Sequence, residues 1–195
     1  MRIESLIERA KKLKEKGLTT GEIADELNVS VETALWLLTR AKDITPSDIY
    51  VDWKGISKPS RMRYIALALA DMITENVGKD IDIVVGVATS GIPLASMVAE
   101  ELKAELSVYY PRKLKWESDE RHRGGVFSEN YANVDGKRCV IVDDIISTGS
   151  TVREVAESIK SREGRVLCAA VVVNKLGVDE IETIPVLSMF KIARI

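Results

Sequence analysis

The chain contains no glutamine, a single histidine, two cysteines and two phenylalanines in 195 residues. Cys139 and Cys168 each lie in or beside an apolar run of β type, and no second ligand pair stands at metal spacing. That excludes a disulfide-built scaffold and a Cys/His metal module, and leaves two reduced core thiols. No apolar run approaches the roughly 20 residues that a membrane-spanning helix needs. The opening "MRIESLIERAKKLKEKG" lacks the continuous apolar segment of a signal peptide. A cytoplasmic protein that makes no use of a membrane is expected. The formal net charge is only −2, so the basic excess that announces many nucleic-acid binders is missing as well. What is present, 46% hydrophobic and 30% charged residues, is the composition of a globular protein with a real core.

Two patterns meet along the chain. Up to about Asp43 the periodicity is helical and strand signals are absent. Ile3, Leu6, Ile7, Ala10 and Leu13 form one apolar stripe that Gly17 ends. Helices are also expected from about Thr20 to Leu27 and from about Val31 to Ala41. The segment "DITPSDIYVDWKGISKPSR" breaks the pattern with Pro46, Gly55 and Pro59. Within it, "IYVDW" is compatible with a short strand or a β-wing. A domain boundary is placed here, dividing residues 1–57 from residues 58–195. Beyond it, the Val- and Ile-rich runs "DIVVGVA", "ELSVYY", "RCVIVDDII" and "RVLCAAVVVN" alternate with helical segments. Continuous apolar strands alternating with helices predict an α/β fold, a parallel sheet covered on both faces. "IPVLSMFKI" is a further strand or a cap.

The stretch "CVIVDDIISTGST" carries the chemistry. Two carboxylates, Asp143 and Asp144, follow a buried strand, and Ser147, Thr148, Gly149, Ser150 and Thr151 lead into a helix. Gly149 permits a close backbone approach, the hydroxyls donate, and free N–H groups at a helix start favour an anion. Acids beside that anion make sense when aimed at neutral hydroxyls, such as a ribose diol, or at a bridging cation such as Mg²⁺. The physics asks for a sugar phosphate; the blander alternative is a helix capped by Ser147 or Ser150 with two solvated acids.

This motif resembles the phosphoribosyl-pyrophosphate (PRPP) signature of type I phosphoribosyltransferases, and the resemblance covers roughly residues 61–195. It implies that Asp143 and Asp144 hold the ribose hydroxyls and Ser147 to Thr151 the 5-phosphate, with Mg²⁺ arriving with PRPP. "GVATSGIPLA" is similar to the family's pyrophosphate loop, which assigns Ala88, Thr89, Ser90 and Gly91 to the diphosphate. Within the family, "TSGIPLA" looks closest to orotate phosphoribosyltransferases. Their cationic loop is matched by Arg112, Lys113 and Lys115, further diphosphate ligands. An enzyme would draw on Lys113, Lys115 and His122 for catalysis. Here Glu117, Asp119 and Glu120 interrupt the pattern, and Arg123 separates His122 from Gly124. A catalytic group must arrive in register with the developing charge, so the loop counts against an active enzyme.

"TGEIADELNVSVETALWLL" fits a helix-turn-helix. Ile23, Ala24, Leu27, Val29, Ala34 and Leu37 fall where two crossing helices pack, and Asn28 stands at the turn, where αL backbone is needed. The second of these helices would enter a major groove. Thr20, Ser30, Val31, Glu32, Thr33, Trp36 and Arg40 are the expected DNA contacts. The basic residues of 1–43 are matched by acidic ones, which leaves a helical dimerisation or packing module as the alternative.

A small all-α helix-turn-helix, with or without a wing, joined to an orotate phosphoribosyltransferase-like domain resembles the archaeal GfcR-type transcriptional regulators. "IYVDWKGI" followed by "PSRMR" at the junction looks like that family too. The resemblance implies a homodimeric, DNA-binding regulator of central sugar catabolism whose second domain senses PRPP or a related phosphorylated metabolite. The rival reading is an active orotate phosphoribosyltransferase that makes orotidine monophosphate. A PRPP-binding module whose helices recruit a protein partner is the third.

Overall fold

The computed structural model describes residues 3–39, 48–112 and 125–193. The chain divides into two compact units, Met1–Trp53 and Lys54–Ile195, a few residues before the division placed at 57.

The first unit is helical, with α1 (Ile3–Glu15), α2 (Thr20–Glu26) and α3 (Val31–Thr39). Its core joins Ile7 and Ala10 of α1 to Ile23, Ala24 and Leu27 and to Val29, Ala34 and Leu37. The alanines bring the helices together where a larger side chain would hold them apart. A capping box starts α2: Glu22 N–H donates to Thr19 Oγ1 at 3.3 Å, and Thr19 N–H donates to Glu22 Oε2 at 2.7 Å. Asn28 takes the left-handed turn at φ 53°, as its position required. Neither strand nor wing forms at 49–53; residues 48–52 are irregular and a single 3₁₀ turn, Trp53–Gly55, follows. The groups there are engaged otherwise. Ser30 N–H donates to Asp48 Oδ2 at 2.6 Å, and Arg9 Nη1 donates to Tyr50 Oη at 2.7 Å. The segment is thereby tied to helices instead of to a strand.

The second unit contains α4 (Pro59–Val77), β1 (Ile83–Val87), α5 (Gly91–Leu102), β2 (Glu105–Tyr110), β3 (Val126–Phe127), β4 (Arg138–Ile146), α6 (Ser150–Lys160), β5 (Arg165–Asn174), β6 (Glu180–Ile181) and β7 (Ile184–Lys191). The strand order is β3-β2-β1-β4-β5-β7-β6. From β2 to β7 the neighbours are parallel, and the two short edge strands are antiparallel. This is the expected sheet, and "IPVLSMFKI" is a strand. Every residue of β1 is buried, which explains its unbroken apolar run. Helix α6 covers one face through Val152, Val155 and Ile159, packed with Ile83, Ile141 and Val171. Helix α5 lies against β1 and β4, and α4 against α5 and β5.

At their starts β1 and β4 are joined by a two-pronged contact. Arg138 Nε donates to Asp82 Oδ2 at 3.0 Å and Nη2 to Oδ1 at 3.1 Å. The guanidinium beside Asp82 draws its carboxyl down to about 2. The chain turns outward to β2 after β1, and outward the other way to β5 after β4. The order of the strands therefore reverses between β1 and β4, which is where an open parallel sheet leaves a crevice beyond its strand ends.

Candidate functional site

The β1–β4 register pairs Ile83 with Cys139 and Gly86 with Val142, so the two strands deliver their following loops to the same edge. The loop after β1 is Ala88 to Gly91. Ala88 is buried and donates its N–H to the Tyr109 carbonyl at 2.8 Å, while Thr89 and Ser90 are exposed. The Ala88–Thr89 peptide is cis. Gly91 opens α5 against the end of β4: a Cβ there would stand 2.8 Å from the Val142 carbonyl oxygen and 3.0 Å from Asp143 Oδ1. Only glycine lets the start of α5 approach β4 this closely. The loop after β1 is therefore adjacent to Asp143.

The paired acids are not equivalent. Asp143 is half-buried, and its Oδ1 accepts from the Asp144 N–H at 2.9 Å. Asp144 is only 3% exposed. Its Oδ1 accepts from the Ile145 N–H at 2.8 Å, and its Oδ2 is buried with no hydrogen-bond partner. Burial pushes the Asp144 carboxyl up, and the nearby Asp143 and Ser90 offset part of the rise. An orphaned carboxylate oxygen costs about 1–3 kcal/mol or more, which a donor or a cation placed there would recover.

Past β4, Ser147, Thr148 and Ser150 are exposed and Thr151 is half-buried. Gly149 has φ 75°, and a Cβ on it would stand 2.9 Å from Ile181 Cδ1. It starts α6 with no side-chain cap, and the Ser150 N–H leans on Thr148 Oγ1 at 3.3 Å. Helix α5, starting at Ser90, has no side-chain cap either. Two helix N-termini with hydroxyl residues thus converge at one sheet edge, a field suited to anions.

Arg112 is exposed just past β2, the strand beside β1. Its N–H donates to Glu154 Oε1 at 2.8 Å. Lys113, Lys115 and His122 lie outside the described residues. Glu154 itself is missed by sequence reasoning: a Glu on an amphipathic helix gives no sign that its carboxylate turns inward to meet Tyr109, buried at the end of β2.

In the helical unit, Val31 and Glu32 are exposed on α3 and Thr20 is half-buried at the start of α2. Ser30, Thr33 and Trp36 are half-buried. The Ser30 and Thr33 hydroxyls are hydrogen-bonded at 2.8 Å, and Trp36 packs against the small core. Leu35, not singled out from sequence, is 51% exposed on the same helix. Arg40 lies outside the described residues. Among the described residues, no helix is long and apolar enough to cross a membrane.

The family model described as a phosphoribosyl transferase domain matches residues 53–193. A transcriptional regulator GfcR of Archaeoglobus fulgidus is 61% identical over 194 residues, covering 100% of this chain and 99% of its own. Among solved structures, an adenine phosphoribosyltransferase from Thermoanaerobacter pseudethanolicus is similar with a TM-score of 0.60 at 18% identity. The match covers 77% of this chain and 92% of that one. An orotate phosphoribosyltransferase from Aeropyrum pernix is similar with a TM-score of 0.56 at 21% identity, over 74% of this chain and 79% of that one. These likenesses establish the fold of the second unit.

Proposed function

The chain belongs to the GfcR family of transcriptional regulators, and on that premise we propose that it binds DNA as a homodimer and senses PRPP or a related phosphorylated metabolite in its phosphoribosyltransferase-like unit. The regulated process would be central sugar catabolism. The observation that carries the sensing role is the meeting of two uncapped helix starts with a partnerless, buried Asp144 oxygen at the β1–β4 edge. Ser147 to Thr151 would take the 5-phosphate, and Asp143 with Asp144 the sugar diol. Ala88 to Gly91 and Arg112 would face the diphosphate.

Mg²⁺ fits this arrangement as an ion carried in by the diphosphate. Asp143 and Asp144 alone are a small donor set, and the described residues contain no group of three or more His, Cys, Asp or Glu able to hold a metal. When bound, the ion would neutralise the diphosphate oxygens. The chain's own part is to orient the sugar through the carboxylates and to cradle phosphate with hydroxyls and N–H groups.

For occupancy to act on DNA, the ligand must bind the two DNA-binding states with different affinity. The test is binding of the full chain to its own promoter region across a salt series, with and without PRPP and Mg²⁺, alongside an orotate-consumption assay. Expected are salt-dependent binding, a shift in affinity with PRPP, and negligible turnover. Absence of salt-dependent binding under both conditions would overturn the regulator reading. Orotate turnover on the order of 1 per second would favour the enzyme instead.

A further inference from the structure

One carboxylate oxygen ties the site together. Glu154 Oε1 accepts from the Arg112 N–H at 2.8 Å, the Gly125 N–H at 2.8 Å and the Tyr109 hydroxyl at 3.1 Å. Gly125 has no room for a side chain there, because a Cβ would stand 2.6 Å from that same oxygen and 2.5 Å from the Tyr110 carbonyl oxygen. Val126, the next residue, pairs with Tyr110 at the start of β3. Tyr109 is wholly buried, and its hydroxyl also meets Ser158 Oγ at 2.9 Å. Burial and the adjacent Glu154 hold that hydroxyl protonated, with its pKa at about 12, so it acts as a donor. Glu154 therefore sits on α6, whose first turn forms part of the phosphate loop, and grips the backbone on both sides of the β2–β3 connection.

We propose that Glu154 is a positioning residue of the ligand site: its carboxylate fixes Arg112, at the diphosphate end, relative to the Ser147–Thr151 loop at the 5-phosphate end. This rests on the assignment of those two ends made above. A carboxylate beside an anion site is unfavourable by charge alone. Here its charge is taken up by three donors, so what it contributes is geometry. Affinity for a ligand that spans both ends depends on their spacing, whereas a ligand held only at the 5-phosphate end does not sense it.

The experiment is calorimetric titration of the full chain with PRPP and, separately, with ribose 5-phosphate, which shares the sugar and 5-phosphate but lacks the diphosphate. Glu154→Ala is expected to raise the PRPP Kd about tenfold while moving the ribose 5-phosphate Kd by less than about twofold. Glu154→Gln, whose amide oxygen still accepts from both backbone N–H groups, recovers most of the loss. On an Arg112→Ala background, Glu154→Ala adds little for PRPP, because the two changes remove one shared effect. Equal weakening of both ligands, no weakening of either, or full additivity with Arg112→Ala overturns the inference while the site assignment stands. If the unaltered chain binds neither ligand, the site assignment fails and this inference fails with it.

Discussion

Helices begin differently in the two units. In the helical unit α2 is closed by its own side chains, with Thr19 and Glu22 satisfying each other's backbone N–H groups. In the sheet unit, the cap residues of α5 and α6, Ser90 and Gly149, make no side-chain cap bond, and on α6 the Ser150 N–H is taken by Thr148 Oγ1 at 3.3 Å. Helix α4 is also uncapped, but it begins at Pro59, which has no N–H to satisfy. A helix start with a self-made cap is finished as folded structure; one without leaves its donors for water or a guest. The helical unit therefore has to offer side chains on a helix face, Val31, Glu32 and Leu35, to any partner. The sheet unit offers backbone and hydroxyls at a strand end. The first kind of surface tolerates substitution without loss of fold, and the second is welded to the core through Gly91 and Gly149.

The largest effect that would test this division comes from the cores. Ile23 is fully buried in the small helical cluster, and Ile23→Ala is expected to destabilise that unit by about 2–5 kcal/mol. With eight buried apolar residues in that cluster among the described residues, this is enough to abolish the proposed DNA binding. PRPP titration should be unchanged, since the sheet unit has its own core. Melting followed by tryptophan emission, with Trp36 inside the helical unit, should show an early transition that wild type lacks. A parallel loss of PRPP binding would break the comparison, because it would mean that the two units fold as one.

A smaller effect concerns Asp144. Burial raises its folded-state pKa above the unfolded one, so the folded chain holds that proton more tightly. The stability this contributes is fully present below the ordinary Asp value of 3.8 and is lost as pH rises through the folded pKa. Asp144→Asn removes the dependence. In the free protein, the variant is expected to equal wild type near pH 4 and to exceed it by about 1–3 kcal/mol at neutral pH, the cost of an unpaired buried group. PRPP should narrow that gap by giving Oδ2 a donor or cation. Thermal melts across pH, with and without PRPP, provide the check. A variant less stable than wild type at every pH would show that Asp144 serves the fold and not a guest.

Much of this was legible in sequence, and the exceptions share a physical cause. Long periodic or continuously apolar segments, α1 and β1 among them, declared themselves because their pattern repeats over several residues. The Ser147–Thr151 loop stood out in sequence because its residue types are poor choices for anything else at a strand end. Strands β3 and β6, of two residues each, are too short to carry a period. The short strand or β-wing compatible with 49–53 does not form there; Asp48 and Tyr50 instead hydrogen-bond Ser30 and Arg9 of the helical unit, contacts that strand propensity does not register. Trp36 illustrates the ambiguity of a large amphipathic ring, which suits a groove contact and a core edge equally. The inequality of Asp143 and Asp144, and the grip of Glu154, depend on which neighbours the sheet brings up. Neighbours far apart in the chain leave no local trace.

The smallest effect contrasts one cap with one non-cap. Thr19→Ala removes the acceptor for the Glu22 N–H, and an N-cap Thr replaced by Ala costs about 1 kcal/mol. The helical unit's melting point should fall, with PRPP affinity unmoved. Ser90→Ala occupies the corresponding place on α5, where no side-chain cap bond exists to lose, so stability should stay within about 0.5 kcal/mol. Because Ser90 is exposed on the loop facing Asp144, the same change should still weaken PRPP. The two variants thus predict opposite patterns, stability lost without ligand affinity and ligand affinity lost without stability. Paired melts and titrations of both separate them. If Ser90→Ala destabilises the fold as much as Thr19→Ala does, the start of α5 is a closed cap after all, and the case for a waiting anion site there falls.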